Sequence, residues 1–200
     1  MLFVLENVNY KNIVKFPHIE INNNTFICGE SGSGKSTLLK LLNGVISADS
    51  GNITYLGKSI EDFVPVDLRR RVLLVSQAVY LFDKTIKENF NEYYGYRDLK
   101  PVNEETMTKL LEVCVVDLPL NSMCNVLSGG ERQRIFIAVS LSFNPEVLLL
   151  DEPTSALDDK NARILMENIK SYCAAKGIAL VVVSHDKEIA RKYADYIINL

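Results

Sequence analysis

Short apolar runs alternate with longer stretches of helical spacing along most of this chain, and the alternation sketches an architecture. Leu2–Leu5, Ile13–Phe16 and Ile19–Ile21, separated by Asn-rich turns such as Asn22-Asn23-Asn24, read as a β-rich opening. Thr25–Cys28 is an apolar run suited to a buried strand, and Thr37–Asn43 carries leucines at helical spacing before Gly44 closes it. Ile53–Leu56 lies between a Ser50-Gly51-Asn52 turn and a Gly57-Lys58 turn, as a hairpin requires. Val72–Ser76 is a further strand ending at Gln77, and the apolar run Ala78–Phe82 after it reads as exposed and in need of a cover.

From Thr85 the texture turns helical. Thr85–Phe90 forms one short segment, and Glu104–Val115 a longer one with Met107, Leu110, Leu111 and Cys114 on one face, so a small helical subdomain is expected over about 84–143. The link Tyr93-Tyr94-Gly95-Tyr96 reads as loop packing. Ser128 followed by Glu131 is a capping-box arrangement ahead of a helix over Arg132–Phe143, which Asn144-Pro145 stops. Val147–Leu150 is apolar throughout, as in a strand buried on both faces of a parallel sheet. A helix from Asp159 to Lys176, a strand over Ala179–Val183, a helix capped by Asp186 and running to Ala194, and a strand over Tyr196–Leu200 complete the pattern. Strands alternating with helices predict an α/β fold with a mainly parallel, helix-covered sheet.

Composition narrows the partners. A chain of 200 residues with 48% hydrophobic content suits one domain over residues 1–200. Its net charge of −3 offers no global attraction to nucleic acid, and the only basic block, Arg69-Arg70-Arg71, reads as a solvated helix face. Four cysteines (Cys28, Cys114, Cys124, Cys173) show neither a C-x-x-C pair nor zinc spacing, which suits reduced cytosol. The opening Met1–Leu5 is too short for a signal peptide and no apolar stretch is long enough to span a bilayer, so work at a membrane requires another chain to carry the span.

The chemistry gathers on Gly29-Glu30-Ser31-Gly32-Ser33-Gly34-Lys35-Ser36, which fits the phosphate-binding pattern G-x-x-x-x-G-K-[ST] and has its strand before it and its helix after it. Glycines let successive N–H groups turn inward, and the helix start adds unpaired donors and a positive dipole end. Lys35 would place a point charge on the β- and γ-phosphates, Ser36 its hydroxyl on Mg²⁺, and Thr37 would support the phosphates further back. A parallel sheet binds ligands at the carboxyl ends of its strands, where Gln77, Asp151-Glu152 and His185 also fall. Beside Mg·nucleotide, Asp151 would hold a magnesium-bound water and Glu152 would act as general base. Gln77 could orient the attacking water or touch the metal, and His185 could hydrogen-bond the γ-phosphate. Tyr10, in a loop upstream, could stack on a base. The helix start at Ser128-Gly129-Gly130 is a second anion site with no ligand left in the chain itself, and a second protomer could use it.

Over its whole length the chain resembles the ATP-binding cassette (ABC) family of P-loop NTPases. Gly29–Thr37 is similar to its Walker A, Gln77 to its Q-loop glutamine, Leu127–Arg134 to its signature motif and Val147–Glu152 to its Walker B. Ser155–Asp158 resembles the D-loop, His185 the switch histidine, and Tyr10 falls where an adenine-stacking aromatic is expected, with a shorter span to Gly29 than usual. The resemblance implies an N-terminal antiparallel β subdomain and an inserted α-helical subdomain. It also implies two cassettes meeting head to tail, each ATP with its Mg²⁺ lying between one copy's Walker A and the other copy's Ser128–Gly130. Hydrolysis would then drive a transmembrane permease subunit docked on Val79–Phe82, which puts this chain at the cytoplasmic face of a cell membrane. Leu81–Asn89 and Ser184–Lys187 are further similar to small bacterial cassettes of metal (iron) export. Two rival classes stand beside this one. A soluble cassette of DNA repair or translation would bring long coiled coils or tandem cassettes, which are absent here. A nucleotide sensor without turnover has no use for Glu152.

Overall fold

In the computed structural model, which describes residues 1–200, the elements run β1 (Phe3–Tyr10), β2 (Val14–Ile21), β3 (Thr25–Cys28), α1 (Lys35–Leu42), β4 (Ser50–Tyr55), β5 (Lys58–Ser59), α2 (Pro65–Arg71) and β6 (Val72–Val75). There follow α3 (Ile86–Gly95), α4 (Glu104–Val113), α5 (Gly129–Ser142), β7 (Val147–Asp151), α6 (Asp159–Lys176), β8 (Ala179–Val183), α7 (Lys187–Tyr193) and β9 (Tyr196–Asn199). Two units share them. Met1–Leu74, Pro145–Glu152 and Gly177–Leu200 make the first, and Val75–Asn144 with Pro153–Lys176 make the second.

In the first unit, β2-β1-β4-β5 form an antiparallel sheet. A second sheet has the order β6-β7-β8-β3-β9, with β7, β8, β3 and β9 mutually parallel. Every residue of β7 is buried, as its unbroken apolar run requires of a strand covered on both faces. Helix α1 is apolar on more than one side because it lies between the sheets. Leu38, Leu39, Leu41 and Leu42 are fully buried in one cluster with Phe3, Leu5 and Ile53 of the antiparallel sheet and Ile27, Leu149 and Val181 of the parallel one. Each such leucine contributes about 1.5–3 kcal/mol of burial, so the start of α1 is held on a rigid base. A polar clamp reinforces the same unit: Tyr55 Oη and Arg71 Nε both donate to Glu146, each at 2.6 Å.

The second unit is helical. Met107, Leu110 and Leu111 of α4, Ile135 and Ile137 of α5, and Leu165, Met166 and Ile169 of α6 supply buried side chains. Thr85 closes a capping box on α3, and Tyr94 Oη donates to the Ser142 carbonyl at 2.9 Å.

Four local expectations change. Val14–Phe16 and Ile19–Ile21 belong to one strand, β2, which passes through Pro17, while Ile13 is an exposed residue of the turn before it. It can do so because β2 is an edge strand, and the β1–β2 ladder, in register on both sides, skips the pair between Glu6–His18 and Val8–Phe16 where Pro17 falls. Tyr93, Tyr94 and Gly95 form the last turn of α3 and not a loop. Arg71 is not simply solvated, since it binds Glu146. Within Ala78–Phe82, Tyr80 is exposed but Leu81 is buried, so the run alternates.

Candidate functional site

The loop between β3 and α1 is built by backbone geometry that few residues tolerate. Gly34, the residue that starts α1, lies at φ 96°, and a Cβ there would come within 2.6 Å of Val14 Cγ1. Only glycine meets both conditions. No side chain caps this helix start, in contrast to α3 and α5, so its first-turn N–H groups face the loop. Lys35 is buried, and its ammonium donates back across the loop to the carbonyls of Gly29 at 3.0 Å and Glu30 at 2.6 Å. Both acceptors are neutral carbonyls. Ser33 Oγ is buried with no hydrogen-bond partner, an orphan that an anion's oxygen would satisfy.

Across the loop, at the end of β7, Ser36 Oγ donates to Asp151 Oδ1 at 3.1 Å. Burial pushes the Asp151 carboxyl above its ordinary pKa, with the Ser36 hydrogen bond pulling the other way. Glu152, just beyond the strand, sits at φ 51°, a left-handed conformation that costs a non-glycine residue about 1–2 kcal/mol. That turn aims the carboxylate at His185, whose Nε2 lies 2.6 Å from Glu152 Oε1. His185 follows β8, and β7 and β8 pair in register up to Asp151 and Val183, so the two residues leave the sheet at one level. Tyr10 ends β1 opposite Val14, the residue packed on Gly34, which brings the β1–β2 hairpin against the loop.

Gln77, Ser128–Gly130 and Asp158 belong to the second unit. Ser128 caps α5 through a capping box: its hydroxyl accepts the Glu131 N–H, while its own N–H and Oγ donate to Glu131 Oε2 at 2.9 and 2.7 Å. Glu131 is thereby held below the ordinary carboxylate pKa by the Ser128 hydrogen bonds. Gln133 of the same helix reaches the Ser76 carbonyl at 3.4 Å, beside Gln77. Asp158 accepts from Asn161 and starts α6. Three residues given no role of their own by the sequence, two of them inside the quoted signature and D-loop stretches, do visible structural work here. Val14 packs on Gly34, Arg132 clamps the carbonyls of Cys124 and Leu81 at 2.8 and 3.0 Å, and Ala156 lies against Gly130. Their particular contacts are not legible locally, because each depends on a residue elsewhere in the chain.

A parallel sheet that ends in a glycine-shaped anion loop, with a buried lysine, a hydroxyl and an acid converging on it, defines a P-loop nucleotide-binding protein. Residues 17–155 match the ABC transporter family, and the chain belongs to that family of ATPases as an ATP-binding subunit. It is 36% identical to a putative ABC transporter ATP-binding protein of Caldanaerobacter subterraneus over 100% of this chain and 87% of that protein. It is 34% identical to the probable iron export ATP-binding protein FetA of Escherichia coli, over 98% and 84%, and 38% identical to the phosphate import ATP-binding protein PstB of Saccharolobus solfataricus, over 95% and 79%. Among solved structures, a dimeric ATP-binding cassette bound to ADP and phosphate superposes with a TM-score of 0.86 at 27% identity, covering 100% of this chain and 94% of that one. No helix is long and apolar enough to cross a membrane.

Proposed function

We propose that two copies of this chain, or this chain and a close relative, bind two ATP molecules head to tail and hydrolyse them to drive a transmembrane permease at the cytoplasmic face of a membrane. The observation that carries it is the division of the anion sites. The Gly29–Thr37 loop is uncapped and backed by Lys35, while a second helix start, at Ser128–Gly130, is exposed at Ser128 and Gly129 and stands in the other unit. Superposition on a cassette described as dimeric and bound to ADP and phosphate supports the same reading.

In this mechanism Lys35, the loop N–H groups and Ser33 take the phosphates, Thr37 supports them, and Tyr10 stacks on the adenine. Ser36 and Asp151 fit a magnesium ion, since a hydroxyl and a carboxylate 3.1 Å apart are hard oxygen donors few enough to leave room for waters and phosphate oxygens. Asp151 would act through a water, and the ion, when bound, would neutralise charge on the β- and γ-phosphates. Glu152 takes a proton from the attacking water as its oxygen bonds to the γ-phosphorus and the bond to ADP breaks. Its carboxylate is engaged by His185 at 2.6 Å, so transfer of His185 to the γ-phosphate frees the base when nucleotide arrives. The partner's Ser128–Gly130 turn closes the site, and Asp158 lines the junction.

The permease has a landing place in the second unit. Phe82 packs edge-on to Tyr80 at 5.0 Å and flat on Tyr96 at 6.0 Å, and Tyr80 and Tyr96 are 66% and 70% exposed. Such an aromatic ledge suits a short cytoplasmic helix. For the cargo we take metal (iron) export as the working reading, on the Leu81–Asn89 likeness and the 34% identity to an iron export protein, with metal uptake by inverted vesicles holding the permease as its check. The relatives named here bear transporter names, which favours transport over DNA repair or translation. The deciding experiment measures ATP hydrolysis by the purified chain against protein concentration. Specific activity should rise with concentration, and Lys35→Ala should lower it about 100-fold or more. Linear activity untouched by Lys35→Ala would refute the proposal.

A further inference from the structure

Gly129 and Gly130 adjoin in the sequence but meet different surroundings. A Cβ on Gly129 would touch nothing within 4 Å, whereas one on Gly130 would come within 2.7 Å of Ala156 Cβ and 3.4 Å of Arg134 Nη1. Two methyl carbons do not approach so closely, and the Ala156 methyl has no rotatable bond by which to leave. The segment holding Ala156 is itself pinned. Leu157 N–H donates to the Thr154 carbonyl at 3.1 Å, Pro153 is buried, and Asp158 is tied to Asn161 at 2.9 and 2.7 Å. The first turn of α5 therefore rests, backbone to methyl, on a short closed turn. Arg134 Nη1 faces the same side of Gly130, and the half-buried guanidinium leaves its Nε unpartnered.

We propose that Ala156 is a positioning residue whose methyl sets the placement of Ser128–Gly130. The proposal rests on the head-to-tail reading above. Under it, Ser128–Gly130 serves the partner's nucleotide while Glu152 serves the chain's own. Only Pro153, Thr154 and Ser155 separate Glu152 from Ala156 along the chain. Rearrangement at Glu152 thus reaches the opposite site through one packed contact, and the two sites fire cooperatively. Gly130 is glycine for this contact, while Gly129, which faces open space, is glycine for close approach of the partner's ligand.

The test is a double-mutant cycle in the full chain. Gly130→Ala, Ala156→Gly, their combination, Gly129→Ala and Gly129→Ala with Ala156→Gly are each placed on a Glu152→Gln background. ATP-dependent dimerisation is then followed by sedimentation, and the urea midpoint is measured without nucleotide. Gly130→Ala should weaken dimerisation roughly 10-fold and lower the midpoint, and adding Ala156→Gly should bring dimerisation to within about 3-fold of Ala156→Gly alone and the midpoint back to that of Ala156→Gly. The Gly129→Ala loss should stay unrescued. In the Glu152-containing chain, Ala156→Gly alone should lower the Hill coefficient for ATP hydrolysis toward one. Recovery of the midpoint without recovery of dimerisation would make the contact merely structural and overturn the proposal, as would equal rescue of Gly129→Ala. If the parent chain fails to dimerise with ATP while the urea cycle still compensates, the head-to-tail reading has failed, and this proposal with it.

Discussion

Replacing Asp151 by Asn should stabilise the chain in the absence of nucleotide and cripple it in its presence. Asp151 is only 6% exposed, accepts a hydrogen bond from Ser36 at 3.1 Å and precedes the charge of Glu152. Burial raises its pKa above the ordinary value, so between the unfolded and folded values the native state holds the extra proton. The stability linked to this group is therefore present at low pH and declines as pH rises through the folded value. Asn keeps the shape and the acceptor for Ser36 but cannot ionise. The gain of Asp151→Asn over the parent should be small below about pH 4 and reach about 1 kcal/mol at pH 8, or roughly 2–4 °C in Tm for a chain of this size. With Mg·ATP at about 100 times its Kd the parent gains about 2.7 kcal/mol and the variant little, so the order inverts. Thermal melts of both proteins at pH 4 and pH 8, with and without Mg·ATP, read all four values. A parent more stable than the variant at pH 8 without nucleotide, or a difference that ignores pH, would refute the reasoning.

Two further substitutions probe the second unit. Glu131 holds its carboxylate on the Ser128 N–H and hydroxyl, where a partner's phosphate would bind, so Glu131→Gln should lose about 0.5 kcal/mol of helix-end stability yet tighten ATP-driven dimerisation roughly 3-fold. An ATP titration of dimer formation checks it, and weaker dimerisation would count against it. Arg132→Met leaves the carbonyls of Cys124 and Leu81 without their donor and should cost about 2 kcal/mol in urea unfolding, of which Arg132→Lys recovers only part, lacking the planar fork.

Much of this arrangement was legible in the chain because its signals are local. Thr25–Cys28, the glycine loop and α1 announce themselves by adjacency, the apolar Val147–Leu150 run leads directly to Asp151, and Ser128 with Glu131 spells its own cap. What stayed hidden depends on residues far apart in sequence. β2 runs through Pro17 because it lies at a sheet edge, which the run itself does not reveal. α6 groups with the second unit through Leu165, Met166 and Ile169, while the strands on either side of it belong to the first, a division that periodicity cannot express. Leu81 turns inward from a run that looks uniformly exposed, and Val14 shapes the loop from the other end of a hairpin.

The head-to-tail site is tested most directly by complementation. Lys35→Ala removes the phosphate charge from one wall of the site, and Ser128→Arg blocks the other, so each protein alone should be close to inactive. Mixed in equal amounts, half of the dimers carry one of each, and in these one of the two sites draws an intact loop from one copy and an intact Ser128–Gly130 turn from the other. The account predicts recovery of ATP hydrolysis to as much as about a quarter of the parent rate. A mixture as inactive as its components would contradict it.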